Sequence, residues 1–418
     1  MSAAAMPPFA LFRADAAPTM GGGHVQRCLA LADAFAELGW RCGFACREGT
    51  IETVPALKSS PHDFVALRGT AEDEAAELKA LVRSPCDLLV VDHYGRDRAF
   101  ETACRSFVKR ILALDDQPCR VHDCDSLLDA TPGRMAAEYE ELVPADCTQL
   151  LGADFALLRR QFAACRPSVL ARRQRKHPVE RLLVSIGTTD PQNLTAIVLR
   201  GVAESGVSVP VDVVLGSAAP HLEATRRLIA TLDIDARLHV DVADMAQLMS
   251  EADLAIGACG YSSFERCCLG LPTLAVLAAE NQRPYWKALT ATGAIERIGE
   301  GGELTPERVA ASLRILAADH ERRMTMSRKS AAVCDGRGAR RVVIDLLAPE
   351  YARDGSEVTL RLAELRDCDL ILAWQQYPDT RRFAHNPQPP TAEEHVGWFT
   401  QALYDASRFL LIVQHQGE

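Results

Sequence analysis

FALFRADAAPTMGGGHVQRCLALADAFAELGW, residues 9–40, decides how the chain is read. Phe9 to Phe12 is an apolar run of the length of a buried strand. Gly21, Gly22 and Gly23 follow, and beyond them Val25, Cys28, Leu29, Ala32 and Phe35 recur at helical spacing until Gly39 ends the helix. RLLVSIGTTDPQNLTAIVLRGVAESG, residues 181–206, repeats the plan with a strand at Leu182–Ile186, a loop at Gly187–Pro191 and a helix from about Asn193. Strand–loop–helix units in both halves predict an α/β protein whose parallel sheets carry helices on both faces. Further buried strands are expected at Asp87–Asp92, Arg110–Asp116, Val211–Gly216, Asp253–Ala258 and Pro272–Leu277.

The two halves are joined by RPSVLARRQRKHPVERL, residues 166–182, whose Arg and Lys content reads as a solvated linker or helix face rather than a phosphate-binding patch. The predicted division is 1–165, a linker at 166–180, and 181–350. A ligand is expected in the cleft between the halves, at the carboxyl ends of their strands. A third section, 358–418, begins after the polar turn Arg353-Asp354-Gly355-Ser356. It closes with a strand, RFLLIV, and a hairpin turn at Gln416-Gly417, so that it reads as stopping in mid-fold.

The 418 residues are 48% hydrophobic and 24% charged, which excludes a disordered chain. With 46 Lys and Arg against 56 Asp and Glu the formal charge is −10, which argues against nucleic acid as a partner. No stretch approaches the ~18 apolar residues of a membrane span, and MSAAAMPPFALFRAD lacks the pattern of a secretory signal. The expectation is a soluble cytoplasmic protein with no membrane partner; the sequence specifies no oligomeric state. The 14 cysteines include no CxxC pair, so buried reduced thiols are expected rather than a disulfide scaffold. His122-Asp123-Cys124-Asp125 is the nearest approach to a metal cluster, but adjacent residues seldom converge on one ion, and no metal is expected.

The chemistry is expected in the loops. Three glycines let backbone approach a ligand closely, and the helix behind them offers unpaired N–H groups and a positive dipole end, which suits a phosphate or diphosphate. His24 opens that helix, either as a general base beside the anion or simply bonded to backbone. GGGHVQ lacks the third glycine of a dinucleotide fingerprint, and neither a Walker A motif nor a GxSxG elbow occurs. The second half offers DLAIGACGYSSFERCCLGLPTLAVLAAENQ, residues 253–282. There Gly257 and Gly260 flank a strand-to-helix turn, and Ser262 and Ser263 either cap the helix or donate to phosphate oxygens. Glu265 either accepts ribose hydroxyls or compensates the helix dipole, and Asn281 and Gln282 follow the next strand.

Taken in order, FRADAAPTMGGGHVQRCLALADAF, VVDHYGRD, LDDQPCRVHDCDSLLD, LLGADFALLRRQF, SIGTTDPQNLT and IGACGYSSFERCCLGLPTLAVLAAENQ resemble a known family. It is the UDP-2,4-diacetamido-2,4,6-trideoxy-beta-L-altropyranose hydrolases of pseudaminic acid biosynthesis, and the likeness spans roughly residues 9–348. The resemblance implies two Rossmann-like domains of the GT-B glycosyltransferase type facing a cleft. It also implies UDP held by the second domain, and metal-independent, inverting loss of UDP to water, with no cofactor. His24 matches the family's catalytic histidine in a G-x-G-H-x-x-R motif made here by Gly21, Gly23, His24 and Arg27, with Gly22 between the glycines. Tyr94 matches a tyrosine near the reacting sugar. Glu265 matches the ribose-binding glutamate, Gly260, Ser262 and Ser263 the diphosphate loop, and Asn281 and Gln282 the pair beside phosphates and sugar. Gly187, Asp190 and Asn193 complete the expected UDP-binding set, although Thr188 stands where the family often has a second glycine. Asp15 is expected either to hold a sugar hydroxyl or amide or to cap its loop. A glycosyltransferase using an organic acceptor and a non-catalytic UDP-sugar-binding module are the rival readings.

The tail, LRLAELRDCDLILAWQQYPDTRRFAHNPQPPTAEEHVGWFTQAL, is similar to the start of GNAT-type sugar-nucleotide N-acetyltransferases. The segment is read as an incomplete α+β unit lacking that family's acetyl-CoA loop, so acetyl-CoA is not expected to bind. Trp374 and Trp398 are expected in its core.

Overall fold

The computed structural model describes residues 6–82, 86–175, 177–347, 350–377, 379–382, 384, 386–405 and 407–415. The turn expected at Gln416-Gly417 lies outside them. The chain forms two compact units, residues 1–339 and 340–418.

The first unit contains two parallel sheets. One holds β1 (Phe9–Ala14), β2 (Arg41–Arg47), β3 (Asp63–Leu67), β4 (Leu88–Asp92), β5 (Ile111–Leu114), β6 (Ser126–Asp129) and β7 (Thr148–Leu151), in the order β3-β2-β1-β4-β5-β6-β7. The other holds β8 (Leu182–Ser185), β9 (Val211–Leu215), β10 (Ala236–Val240), β11 (Leu254–Ala258), β12 (Thr273–Leu277) and β13 (Glu296–Glu300), ordered β10-β9-β8-β11-β12-β13. These are the Rossmann-like α/β domains foreseen from the sequence. All five further strands expected are present; β2, β6 and β7 and the partly exposed β3, β10 and β13 were not singled out. In each sheet the order reverses beside the first strand, between β1 and β4 and between β8 and β11. A crevice therefore opens at the carboxyl ends of those strands.

The helix after the first glycine loop is α1 (Gly23–Glu37), with Val25, Cys28, Leu29, Ala32 and Phe35 all buried. Gly39 terminates it at φ +81°, a conformation that costs a residue without a side chain little. In the second domain, Leu182, Val184, Ile256 and Val276 from the sheet pack with Val198, Leu199 and Val202 of α4 (Leu194–Ser205) and with Val309 and Leu313. In the first, Leu89, Val91, Ile111 and Leu127 form the centre of the sheet core.

The Arg-rich stretch read as a linker at 166–180 is helical in its first half, within α3 (Arg160–Arg173). Its cations are not merely solvated. Arg173 is buried and donates to the Leu269, Ala252 and Met249 carbonyls at 2.7, 2.9 and 3.1 Å. Arg166 donates to those of Cys268, Ala331 and Cys334. Unpaired carbonyls at helix ends attract such donors, and composition does not reveal this use of charge.

The second unit has an antiparallel sheet, β14 (Glu350–Tyr351), β15 (Glu357–Leu362) and β16 (Leu411–His415), in the order β14-β15-β16. Two helices, α7 (Cys368–Gln376) and α8 (Ala392–Tyr404), accompany it. Ala363, Ile371, Phe399, Leu403 and Ile412 form its core. Trp374 and Trp398 are not in that core, contrary to expectation, being 42% and 44% exposed. Ile371, one turn before Trp374, and Phe399, beside Trp398, take the inward positions instead.

Candidate active site

The carboxyl ends of β1, β4 and β5 supply one wall of the cleft. His24, in the first turn of α1, directs Nδ1 at the Asp92 carboxylate, 2.8 Å away, with the Asp92 carbonyl at 3.3 Å. Asp92 ends β4 and lies beside Ala14 in the β1–β4 register, so the contact is fixed by strand pairing. Arg27, one turn beyond His24, grips the same carboxylate through Nε and Nη2, both at 2.6 Å. Burial alone would raise the Asp92 carboxyl, but Arg27 and His24 hold it far below the ordinary carboxylate range. An anionic Asp92 accepting from Nδ1–H leaves Nε2 as the basic nitrogen of the imidazole.

Tyr94 follows β4 and meets the His24 ring edge-on, with centroids 4.9 Å apart. Its hydroxyl donates to Asp116, 2.9 and 3.1 Å from the two carboxylate oxygens. Burial and that carboxylate together push the Tyr94 phenol well above its usual range. The phenol's single proton is thereby committed, leaving its oxygen to accept. Asn281 Nδ2, from the second domain, lies 3.5 Å from that oxygen. Asp116 also accepts from Tyr285 of α6 (Arg283–Thr292) at 2.9 Å and has Arg27 Nη1 at 3.5 Å.

Asp15 is ion-paired to the fully buried Arg13 at 2.7 Å, accepts from the Arg47 amide at 2.7 Å, and has His93 Nε2 at 3.3 Å. Burial would raise its carboxyl; His93, Arg13 and the Arg47 amide outweigh that and hold it low. Behind it, Glu74 of α2 (Glu74–Leu81) receives Arg13, Arg47 and Arg96 at 2.6, 2.6 and 2.5 Å.

The second wall is built differently. Gly260 follows β11, and a Cβ there would stand 3.3 Å from Gln282 Nε2, so glycine loop and glutamine are neighbours. Tyr261 carries Arg27 over its ring at 5.1 Å and accepts from the Leu157 amide, tying the walls together. Ser262 begins α5 (Ser262–Cys268) and remains partly exposed, whereas Ser263 is buried and accepts from Arg266 Nη2 at 3.0 Å. Glu265 stands in the first turn of α5 with Arg159 Nη2 at 3.7 Å, a loose pairing, and burial raises its carboxyl. After β8, Gly187 has φ +144° and Asp190 spends both oxygens on the first amides of α4, Leu194 at 3.0 Å and Thr195 at 2.8 Å. Asn193 precedes the helix in the left-handed region, its Oδ1 buried without a hydrogen-bond partner. Thr188 Oγ1 is 3.6 Å from where a Cβ on Gly22 would stand, so the two glycine loops face each other.

His24, Tyr94 and Asn281 thus come together, with Gly260 and Gln282 adjacent on the second wall. Arg27, Asp190 and Ser263 face inward to scaffold partners. Asp15 is bonded within the first domain, and His122, from the stretch nearest to a metal cluster but not expected to hold a metal, lies between Glu101 at 2.8 Å and Asp115 at 3.2 Å. Asp92, Asp116 and Tyr285 were not singled out from the sequence. The available signal was an acid at the end of an otherwise apolar strand, as in LLVVD and ILALDD.

No protein-family profile matches the chain. The UDP-2,4-diacetamido-2,4,6-trideoxy-beta-L-altropyranose hydrolase of Campylobacter jejuni is 27% identical over 59% of this chain and 83% of its own length. The likeness to that hydrolase read from the motifs is therefore present at the level of aligned sequence. The spore coat polysaccharide biosynthesis protein SpsG of Bacillus subtilis is 25% identical over 79% of this chain and 95% of its own. Among solved structures, MurG of Acinetobacter baumannii superposes with a TM-score of 0.58 at 17% identity, covering 81% of this chain and 98% of that one. The paired Rossmann-like domains are those of the GT-B glycosyltransferase fold. Among the described residues no helix is long and apolar enough to cross a membrane.

Proposed function

We propose that the protein hydrolyses a UDP-linked 2,4-diacetamido-2,4,6-trideoxy sugar at its anomeric C–O bond, releasing UDP and the free sugar with inversion. The observation that carries this reading is the Asp92–His24 pair, set edge-on to Tyr94 and facing Asn281 from the other domain. Sequence likeness to the Campylobacter hydrolase supplies the substrate class.

In this reading water attacks the anomeric carbon from the face opposite the nucleotide. Its proton passes to His24 Nε2, with Asp92 stabilising the imidazolium that forms. The C–O bond electrons leave with the β-phosphate oxygen. The N-terminal turns of α4 and α5, the backbone of the Gly187 and Gly260 loops and the Ser262 hydroxyl receive that charge, so the step requires no metal. Glu265, loosely paired, accepts ribose hydroxyls. Asn281 and Gln282 meet the phosphates and the sugar, and the lone pairs of Tyr94 meet an N–H or O–H of the sugar.

Purified protein incubated with the UDP-diacetamido sugar in oxygen-18 water, without an acceptor and with EDTA present, tests the reading. Label in the sugar and release of UDP are expected. Turnover only when an organic acceptor is supplied would make the protein a transferase, binding without turnover would make it a sensor, and label in UDP would mean P–O cleavage. In the same assay His24→Asn should lower turnover at least about 10²-fold while leaving UDP affinity within about twofold.

A further inference from the structure

At the opposite end of the first sheet from the cleft, two thiols stand in contact. Cys124 lies two residues before β6 and Cys147 one residue before β7, neighbouring parallel strands in the register Ser126↔Thr148. Their sulfurs are 3.6 Å apart. Cys124 is buried and Cys147 half-buried, so solvent reaches the second thiol and not the first.

We propose that Cys147 and Cys124 form a reversible oxidation site, in which Cys147 reacts with a hydroperoxide and Cys124 then resolves it to a disulfide.

Three features support this. First, a disulfide joins sulfurs about 2.05 Å apart, so the observed contact needs to close by little, within reach of side-chain rotation. Second, the backbones on both sides are already held. Asp123 accepts from Thr102 at 2.7 Å and from Arg105 at 2.9 Å, Asp125 from the Ile111 amide at 2.6 Å, and the Thr148 amide donates to the Asp125 carbonyl at 3.0 Å. Third, the roles are unequal. Either sulfur can donate in their contact, but Cys124 is buried, which raises its thiol, whereas Cys147 is half-buried, so a hydroperoxide meets Cys147 first. The thiolate is the nucleophile in such chemistry, which makes the more accessible sulfur the attacking one.

The steps balance with a hydroperoxide as the only oxidant. The Cys147 thiolate attacks the O–O bond, giving Cys147–SOH and an alkoxide, or hydroxide from hydrogen peroxide, which takes up a proton. The Cys124 sulfur then displaces water from the sulfenic acid, its proton leaving with that water. Because the link joins the amino-terminal ends of β6 and β7, while Asp92 and Asp116 stand at or beyond carboxyl ends, it clamps the sheet away from the cleft. It is independent of the reaction proposed above.

The test uses the full chain carrying Cys119→Ser, which removes an exposed thiol. After treatment with hydrogen peroxide, the expected result is loss of two hydrogens in intact mass, a Cys124–Cys147 peptide pair in a non-reducing digest, reversal by dithiothreitol, and a melting temperature higher by about 5 °C. Cys124→Ser should leave a sulfenic acid on Cys147 that dimedone traps, and Cys147→Ser should abolish both products. An unchanged mass, a link through other cysteines, or dimedone trapping that persists in Cys147→Ser would overturn the proposal.

Discussion

The two glycine loops share one plan and serve opposite ends. The first, Gly21–Gly23, delivers a side chain: His24 is clamped by an acid from a different strand, and that acid by Arg27. The second, beginning at Gly187, delivers backbone: its one acid, Asp190, is consumed in capping α4. The contrast runs through both domains. Arg13, Glu74, Arg27, Asp92 and Asp116 form a buried charge scaffold under the first loop, whereas the cleft face of the second domain is mainly glycine, amide and hydroxyl over an aliphatic core, with Glu265 only loosely paired. A reacting group has to be held to a fraction of an ångström, which favours charge-assisted hydrogen bonds. A diphosphate can be met by N–H groups that any helix start provides.

The sharpest way to break this contrast is Asp92→Asn. It should lower turnover about 10³-fold by disturbing the His24 tautomer, with UDP affinity nearly unchanged. A variant that melts earlier yet turns over normally would make the charge scaffold structural only. Next in size is a pH effect confined to the first domain. Burial would lower the His122 imidazole, but Asp115 and Glu101 push it from 6.5 up to about 9. Its contribution, about 3 kcal/mol by linkage, is present in full below pH 6.5 and is lost as pH rises through 9. Urea unfolding at pH 6 and pH 9.5 should show the loss, and His122→Gln should flatten it. In the second domain Asp190→Ala should cost about 2 kcal/mol of stability through loss of the α4 cap, read as a shifted urea midpoint. A 10³-fold loss of turnover there would erase the distinction between the loops. Smallest is Thr188→Gly, expected to change KM within about threefold and leave kcat alone, because in the proposed reading backbone beside it meets the phosphates.

The architecture was legible because apolar strands, glycine loops and helical periodicity all pointed one way, as in residues 9–40. β10 and β13 escaped because Arg, His and Glu interrupt their apolar residues, and β6 and β7 because each offers little more than a Leu-Leu pair. Within the site, His24, Tyr94 and Asn281 could be named from motifs. What could not be read was which polar groups face inward. Ser263 and Arg27 carry motif identities, yet one accepts from Arg266 and the other is spent on Asp92. Asp116 and Tyr285 are 169 positions apart in sequence, and only the folded chain makes them partners. The same holds for the arginines of α3, whose carbonyl partners come from distant helix ends.

The Tyr285–Asp116 hydrogen bond carries a practical consequence for domain exchange. A chimera that grafts another second domain onto this first domain inherits the His24–Asp92 pair intact, since both residues come from one side. It does not inherit the second donor to Asp116, nor the amide beside Tyr94. Such a graft therefore needs a phenol at the position of Tyr285 and an amide at that of Asn281. Without them the transplanted half leaves a buried acid one donor short, at the point where the two halves meet.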